Sequence, residues 1–434
     1  MSVNAPPDRR SVAERALADR VIAAATQLAR AARPLMVLRA IDWPVEVRDR
    51  FFASNATELP QVEYAPFDAS RSLERVASAR RRRTGHANID AWIQRHAEAI
   101  EGTARMLQAI GTPDFYRYGR DLYGDADMPL RYHPATPLEL ARNVHDIVDQ
   151  FARARPDFEL PKTQGSATVA RYIRAAVVKH FDRDAPDVNV VAKLSANALA
   201  TSSEIRIRRG ARFTDRDAEQ LLQHEAYIHV LTSINGKQQD QLPILGVSYP
   251  YVTRTQEGLA VYAEMITGTM ELDRLRRLAD RVVAIHMAGE GADFIQVYKW
   301  FLERTGQPEQ SFESTRRTFR GGVVTGGAPF TKDVTYMYGL MQVTNLVRSA
   351  FAAGRADVLR ALFCGKLDVG DVPVLCELAH LGLLHAPRHV PPWIADPRAV
   401  LASLTFSTFM NRMDVAGMAQ QIQRILAEAP VLRF

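Results

Sequence analysis

The hexad His224-Glu225-Ala226-Tyr227-Ile228-His229 constrains this chain more than any other stretch. It sits in a segment with marked helix ends. Thr214 with Asp217 three residues on makes a capping box, and Asn235-Gly236 supplies a stop. Two imidazoles beside a carboxylate form the zinc-protease signature, whose usual spacing is H-E-x-x-H. A regular helix advances about 100° per residue, so a four-residue step leaves two histidines about 40° apart on one face. The step here is five, and the same arithmetic gives about 140°, too wide for one metal on a straight helix. One extra residue wound into a π turn restores the narrow angle, and such turns cluster at functional sites. The helix therefore either excludes a metal or contains a π-bulge.

The sequence downstream favours the bulge. After a loop with Pro243, Gly246 and Pro250 comes Thr255-Gln256-Glu257-Gly258-Leu259-Ala260-Val261-Tyr262-Ala263-Glu264. Glu257, read as an acid at a helix start, is close enough for a helix–loop–helix to return it to the first helix as a third ligand. A helix N-terminus favours the ionised carboxylate that coordination requires. Two histidines and one glutamate leave a fourth position open for water, the catalytic arrangement for Zn2+. Zinc would acidify that water, and Glu225 would act as general base. Glu264, one heptad beyond Glu257, falls on the same helix face and could orient a ligating histidine.

Composition sets the frame around this core. The chain has 434 residues, 47% hydrophobic and 24% charged, which fits a globular protein of two or three structural units rather than a disordered or fibrous one. Its apolar runs fall short of a bilayer span and its start lacks a secretory h-region. Two cysteines, Cys364 and Cys376, make neither a disulfide framework nor a thiolate zinc site and read as small hydrophobes. A cytoplasmic protein without a membrane partner is the expectation. Lys and Arg number 55 against 49 Asp and Glu, and the excess is spread along the chain, so nucleic acid is not an expected partner. The run Arg80–Arg83 reads as a solvated helix end.

Hydrophobic periodicity predicts helices over 12–33, 88–110 and 138–153, with strand-like runs at Asp187–Lys193 and Ser203–Arg208, the second alternating apolar and polar. Most of the chain beyond the hexad's helix reads helical. The fold class expected is α+β, mostly α-helical, with a small sheet beside the active-site helix. A flexible tail over 1–11 precedes an N-terminal helical region over 12–155, and a catalytic domain runs from 160 to 434 with its core at 190–345. The paired glycines at 321–327 lack the Lys-Ser/Thr of a phosphate loop and suggest a mobile active-site loop. His380, His385 and His389 stand apart from acids and read as structural.

The pentad Gln256–Ala260 resembles the motif of a bacterial family, the flavohaemoglobin expression-modulating QEGLA-motif proteins. HEAYIHVLTSINGKQQ followed by TQEGLAVYAE is also similar to the catalytic core of the microtubule-associated tyrosine carboxypeptidases. The second resemblance implies a zincin-like metallopeptidase core, with His224, His229 and Glu257 on zinc and Glu225 as base. It also implies removal of a C-terminal residue from a peptide or protein, with Ser203–Arg208 as an edge strand able to pair with extended substrate. The first resemblance implies something different, a non-catalytic zinc-binding regulator of expression. A carboxypeptidase needs a fixed cation for the terminal carboxylate, and Arg254 or Arg320 could supply it. Phe330–Gly339 resembles the relatives' Lys-Asp-x-x-Tyr segment, which brings Lys332 to the substrate side. It also offers Tyr336, or second to it Tyr338, as hydroxyl donor to an oxyanion.

Overall fold

The computed structural model describes residues 11–154, 161–192, 194, 197–201, 203–413 and 422. It is 65% helical and 5% strand, an α+β fold dominated by helices. Residues up to Val390 form one compact unit and those from Pro391 onward a second. Of the tail expected over 1–11, residues 1–10 lie outside the described residues, as does the boundary at 155–160, while Ser11 belongs to the first helix as its cap.

Ser11 opens the first helix with a reciprocal capping box to Glu14, and the helix runs Val12–Ala32. Part of 12–53 is apolar enough to cross a bilayer by length and composition. Yet Val21, Ala24, Ala25, Leu28 and Ala29 are buried within the unit, as in the core helix of a globular protein. The expected helices over 88–110 and 138–153 are Ala87–Gln108 and Pro137–Ala154, the latter begun by a proline at its first position.

Two cores tie early and late residues together. Trp43, Val47 and Phe51 pack with Phe294, Tyr298, Phe312 and Phe319. The Phe51 and Phe294 rings meet edge to face at 5.3 Å. Leu138 and Ala141 join Val261, Leu278, Val282, Ile285 and Val334 in another cluster. Each fully buried large side chain contributes roughly 1.5–3 kcal/mol.

The three-stranded sheet corrects one expectation. Glu204–Arg208 forms with Ile205 and Ile207 buried, as its alternation predicts, but it is the central strand. Asp187–Val191 lies parallel to it on one side and Ala198–Ala200 antiparallel on the other. Both of its edges are therefore occupied, and Ser203–Arg208 cannot accept a peptide strand. Among the described residues the open edges belong to its neighbours, and Ala198–Ala200 is the one that packs on the hexad's π-helical segment.

Two glycine readings also change. Gly236 does not cap a helix, which continues to Lys237; it allows a close approach, since a Cβ there would fall 2.2 Å from the Leu245 carbonyl oxygen. The 321–327 run is pinned rather than loose. Gly321 N–H donates to Tyr64 Oη, Gly327 N–H to the Ala288 carbonyl, and Val323 bridges Ala328. Gly326 takes a left-handed φ of +91°, with no room for a side chain beside Gly291.

Candidate metal centre

The helix that carries the hexad begins at Thr214, whose hydroxyl accepts from Asp217 N–H while Asp217 accepts from Thr214 N–H. It runs as α-helix over Asp215–Leu221, changes to π-helix over Leu222–Val230 and returns to α-helix over Leu231–Lys237. The i→i+5 pattern stacks residues five apart, which the histidine spacing demanded. The His224 and His229 rings sit 4.9 Å apart, nearly perpendicular.

Glu257 faces them from the helix Pro250–Ile266. Its Oε2 lies 3.8 Å from His224 Nε2 and 3.6 Å from His229 Nε2, and one donor atom from each residue falls within 4.8 Å of the others. Donors about 2.0–2.1 Å from a tetrahedral ion stand roughly 3.4 Å apart. Two imidazoles and a carboxylate have the donor chemistry zinc takes, and the two nitrogen–oxygen separations lie close to that spacing.

The charge of Glu257 has a different source from the one expected. The helix starts at Pro250, two turns before Glu257, beyond the reach of its N-terminal dipole. Burial works against ionisation, but Lys332, His229 and His224 outweigh it and hold the carboxyl well below its usual range. Lys332 Nζ donates to Glu257 Oε1 at 2.8 Å, so this lysine, expected on the substrate, is engaged with the candidate ligand.

Glu264, two turns on, is fully buried and bonds His224 Nδ1 at 2.6 Å. Arg274 donates to it through Nε and Nη2. Burial opposes its charge, yet Arg274 and His224 bring the Glu264 pKa down to about 2. Glu264 in turn lifts the pKa of His224 despite the ring's desolvation. The bond leaves His224 Nε2 facing Glu257, the division of roles common in ligating histidines.

Glycine and glutamine in the pentad have packing roles. A Cβ on Gly258 would lie 2.3 Å from the Gly339 backbone, so the helices Pro250–Ile266 and Thr335–Ala352 cross in contact there. Gln256 Oε1 accepts from Thr232, locking the Glu257 helix to the active-site helix.

The remaining predicted residues scatter in role. Glu225 is half-buried, with no side-chain partner among the described residues. Tyr336 is buried beside Lys332 and Arg281, which lie 5.1 and 5.2 Å from its ring centre. Tyr338 instead accepts from Arg131 N–H and stacks under Arg254. Arg254 also donates to the Tyr123 carbonyl, so it braces the site. Arg320 is buried with an unpartnered Nε, among Arg316, Arg317, Asp42 and Asp333. Arg317 grips Asp333 with two hydrogen bonds. Sequence reasoning missed Arg274, Arg317, Gln256 and Lys366, a buried lysine near Glu257 and Glu225. Only Gln256 had a local signal, its place beside Glu257.

Away from the centre, His389 bonds Asp184 and His385 bonds Asp240, so these two histidines do meet acids, ones distant in the sequence. Arg80 pairs with Glu101 at a helix end. No curated protein matches this chain. A family model for the microtubule-associated tyrosine carboxypeptidases matches residues 49–412, most of the chain and all of the centre, and the protein belongs to that family, one of peptidases acting on peptide or protein substrates.

Proposed function

We propose that this protein is a zinc carboxypeptidase that removes the C-terminal residue of a peptide or protein. The observation that carries the reading is the π turn, which brings His224 and His229 to one carboxylate, Glu257, with Glu225 beside them and unpaired. Zinc held by these three ligands would supply Lewis acidity to the scissile carbonyl and lower the pKa of a bound water.

The chain's own residues do the rest. Glu225 accepts the proton of the attacking water and passes it to the leaving amine. Glu264 and Arg274 hold the His224 ring at its angle. Lys332 holds one oxygen of Glu257 and leaves the other for the metal. Tyr336, beside Lys332, is the hydroxyl that supports developing negative charge on the substrate oxygen; Tyr338 is engaged elsewhere. An extended peptide adds to the open edge of Ala198–Ala200 in a zincin-like arrangement over the active-site helix.

The test is metal analysis together with peptide hydrolysis in wild type and Glu225→Gln. One zinc per chain in both, with hydrolysis only in wild type, supports the reading. Zinc without hydrolysis in either makes the chain a binding scaffold, and no bound zinc removes the proposal altogether.

A further inference from the structure

Cations near the centre divide sharply by what they already hold. Lys332 is on Glu257, Arg274 on Glu264 and Arg317 on Asp333. Arg254 is stacked on Tyr338 and bonded to a main-chain carbonyl. Lys366 holds nothing. Its side chain belongs to a residue only 8% exposed, and no described carboxylate or carbonyl lies within bonding distance of its amine. The charges that act on it are Glu257 and Glu225, the ligand and the base of the proposed reaction.

Its backbone is fixed with unusual closeness to the active-site helix. Lys366 N–H donates to the Leu245 carbonyl at 2.7 Å. A Cβ on the preceding Gly365 would stand 2.6 Å from that same oxygen and 3.2 Å from Gly236 Cα. Asn235, on the helix, donates to the Phe363 carbonyl. The loop thus gives the amine a rigid base, with Glu257 and Glu225 near enough for their charges to act on it.

A buried ammonium without a counter-ion is costly, and such groups are retained where they meet an anion. We propose that Lys366 binds the terminal carboxylate of the substrate, a role that rests on the carboxypeptidase reading above. Arg320 is the rival, since its buried Nε has no partner; Arg254 Nε has none either, but the rest of that guanidinium is held by the Tyr338 ring and the Tyr123 carbonyl. The charged surroundings of Arg320 are Arg316, Arg317, Asp42 and Asp333, none of them a metal ligand or the base, so it faces a different part of the molecule's charge network.

The experiment measures binding of N-acetyl-Ala-Ala-Tyr and its C-terminal amide to zinc-loaded protein in a Glu225→Gln background, where neither peptide is consumed. The parent should prefer the free acid by about 10- to 100-fold, the range one charged hydrogen bond supplies. Adding Lys366→Met should bring the ratio near one by weakening the acid alone, while Arg320→Met leaves it unchanged. Zinc affinity of the Lys366→Met protein should stay within about twofold of the parent. Where Lys366→Met fails to fold, Lys366→Gln decides by the same ratio. A preference that survives at position 366, or one lost only at Arg320, overturns the assignment and leaves the carboxypeptidase reading standing. A parent that binds acid and amide equally defeats that reading and the anchor with it.

Discussion

Around His224 the charged groups are paired, whereas Glu225 and Lys366 have no partner among the described residues. On the first side Glu264 bonds both the imidazole and Arg274, and Lys332 holds Glu257. On the second, Glu225 and Lys366 engage no side chain of the described chain. Paired groups in a buried setting fix geometry, because each hydrogen bond limits its partner's rotation. Unpaired ones leave capacity for species the chain does not supply: on the proposed reading, a metal-activated water for the carboxylate and a substrate anion for the amine. The difference separates residues that build the centre from residues that use it.

That separation makes opposite forecasts for two glutamates. Glu225→Gln removes a charge with no partner to strand, so melting temperature and zinc content should hold while hydrolysis falls by roughly 10²–10⁴-fold. Steady-state peptide assays with metal analysis check both halves. Glu264→Gln strands Arg274 in a site where the arginine is largely buried. It should destabilise the protein by about 3–5 kcal/mol in denaturant titration, and lower zinc affinity by roughly 10–100-fold by releasing the His224 ring. If Glu264→Gln were as stable as wild type, the paired side would lose its meaning as scaffold.

The unpaired side was the harder one to see in the sequence, and the reason is distance along the chain. The π turn was legible because helix geometry alone decides whether two histidines five apart can converge. Glu264 was legible from its heptad offset to Glu257. Lys366 and Arg274 carry no local signature; their importance comes from segments folding back onto the centre. Alternation identified Glu204–Arg208 as a strand but could not assign its place in the sheet, because the third strand, Ala198–Ala200, has too few residues to show a period. The helix bearing Glu257 begins earlier than its motif suggests because Pro250, which reads as loop, is well suited to a first helical position.

Gly258 belongs to the scaffold without any charge, and offers a control on the comparison. Its missing side chain lets two helices touch at Gly339. Gly258→Ala forces backbone apart and should cost about 3 kcal/mol, near the upper end for an overpacked core. The zinc affinity should fall with it, since the shift moves Glu257, the residue beside it. Calorimetry and zinc titration would separate this from a purely local effect.

Lys366 gives the smallest but most diagnostic effect, because it should appear as a gain. Burial pushes its pKa down to about 8 from 10.5, although Glu257 and Glu225 pull the other way. Below pH 8 the folded and the unfolded chain both carry the proton, and the native state bears the full cost of a buried cation. Between pH 8 and 10.5 the native state has released it while the unfolded state retains it, so wild-type stability rises with pH relative to a variant lacking the amine. Metal-free Lys366→Met should therefore be more stable than wild type by roughly 2–3 kcal/mol at pH 7, with the gap closing as pH approaches 10.5. Paired denaturation curves across that range measure it. A lysine that merely braced its loop would give the reverse, a variant less stable at neutral pH, and would move Lys366 to the paired side of the centre.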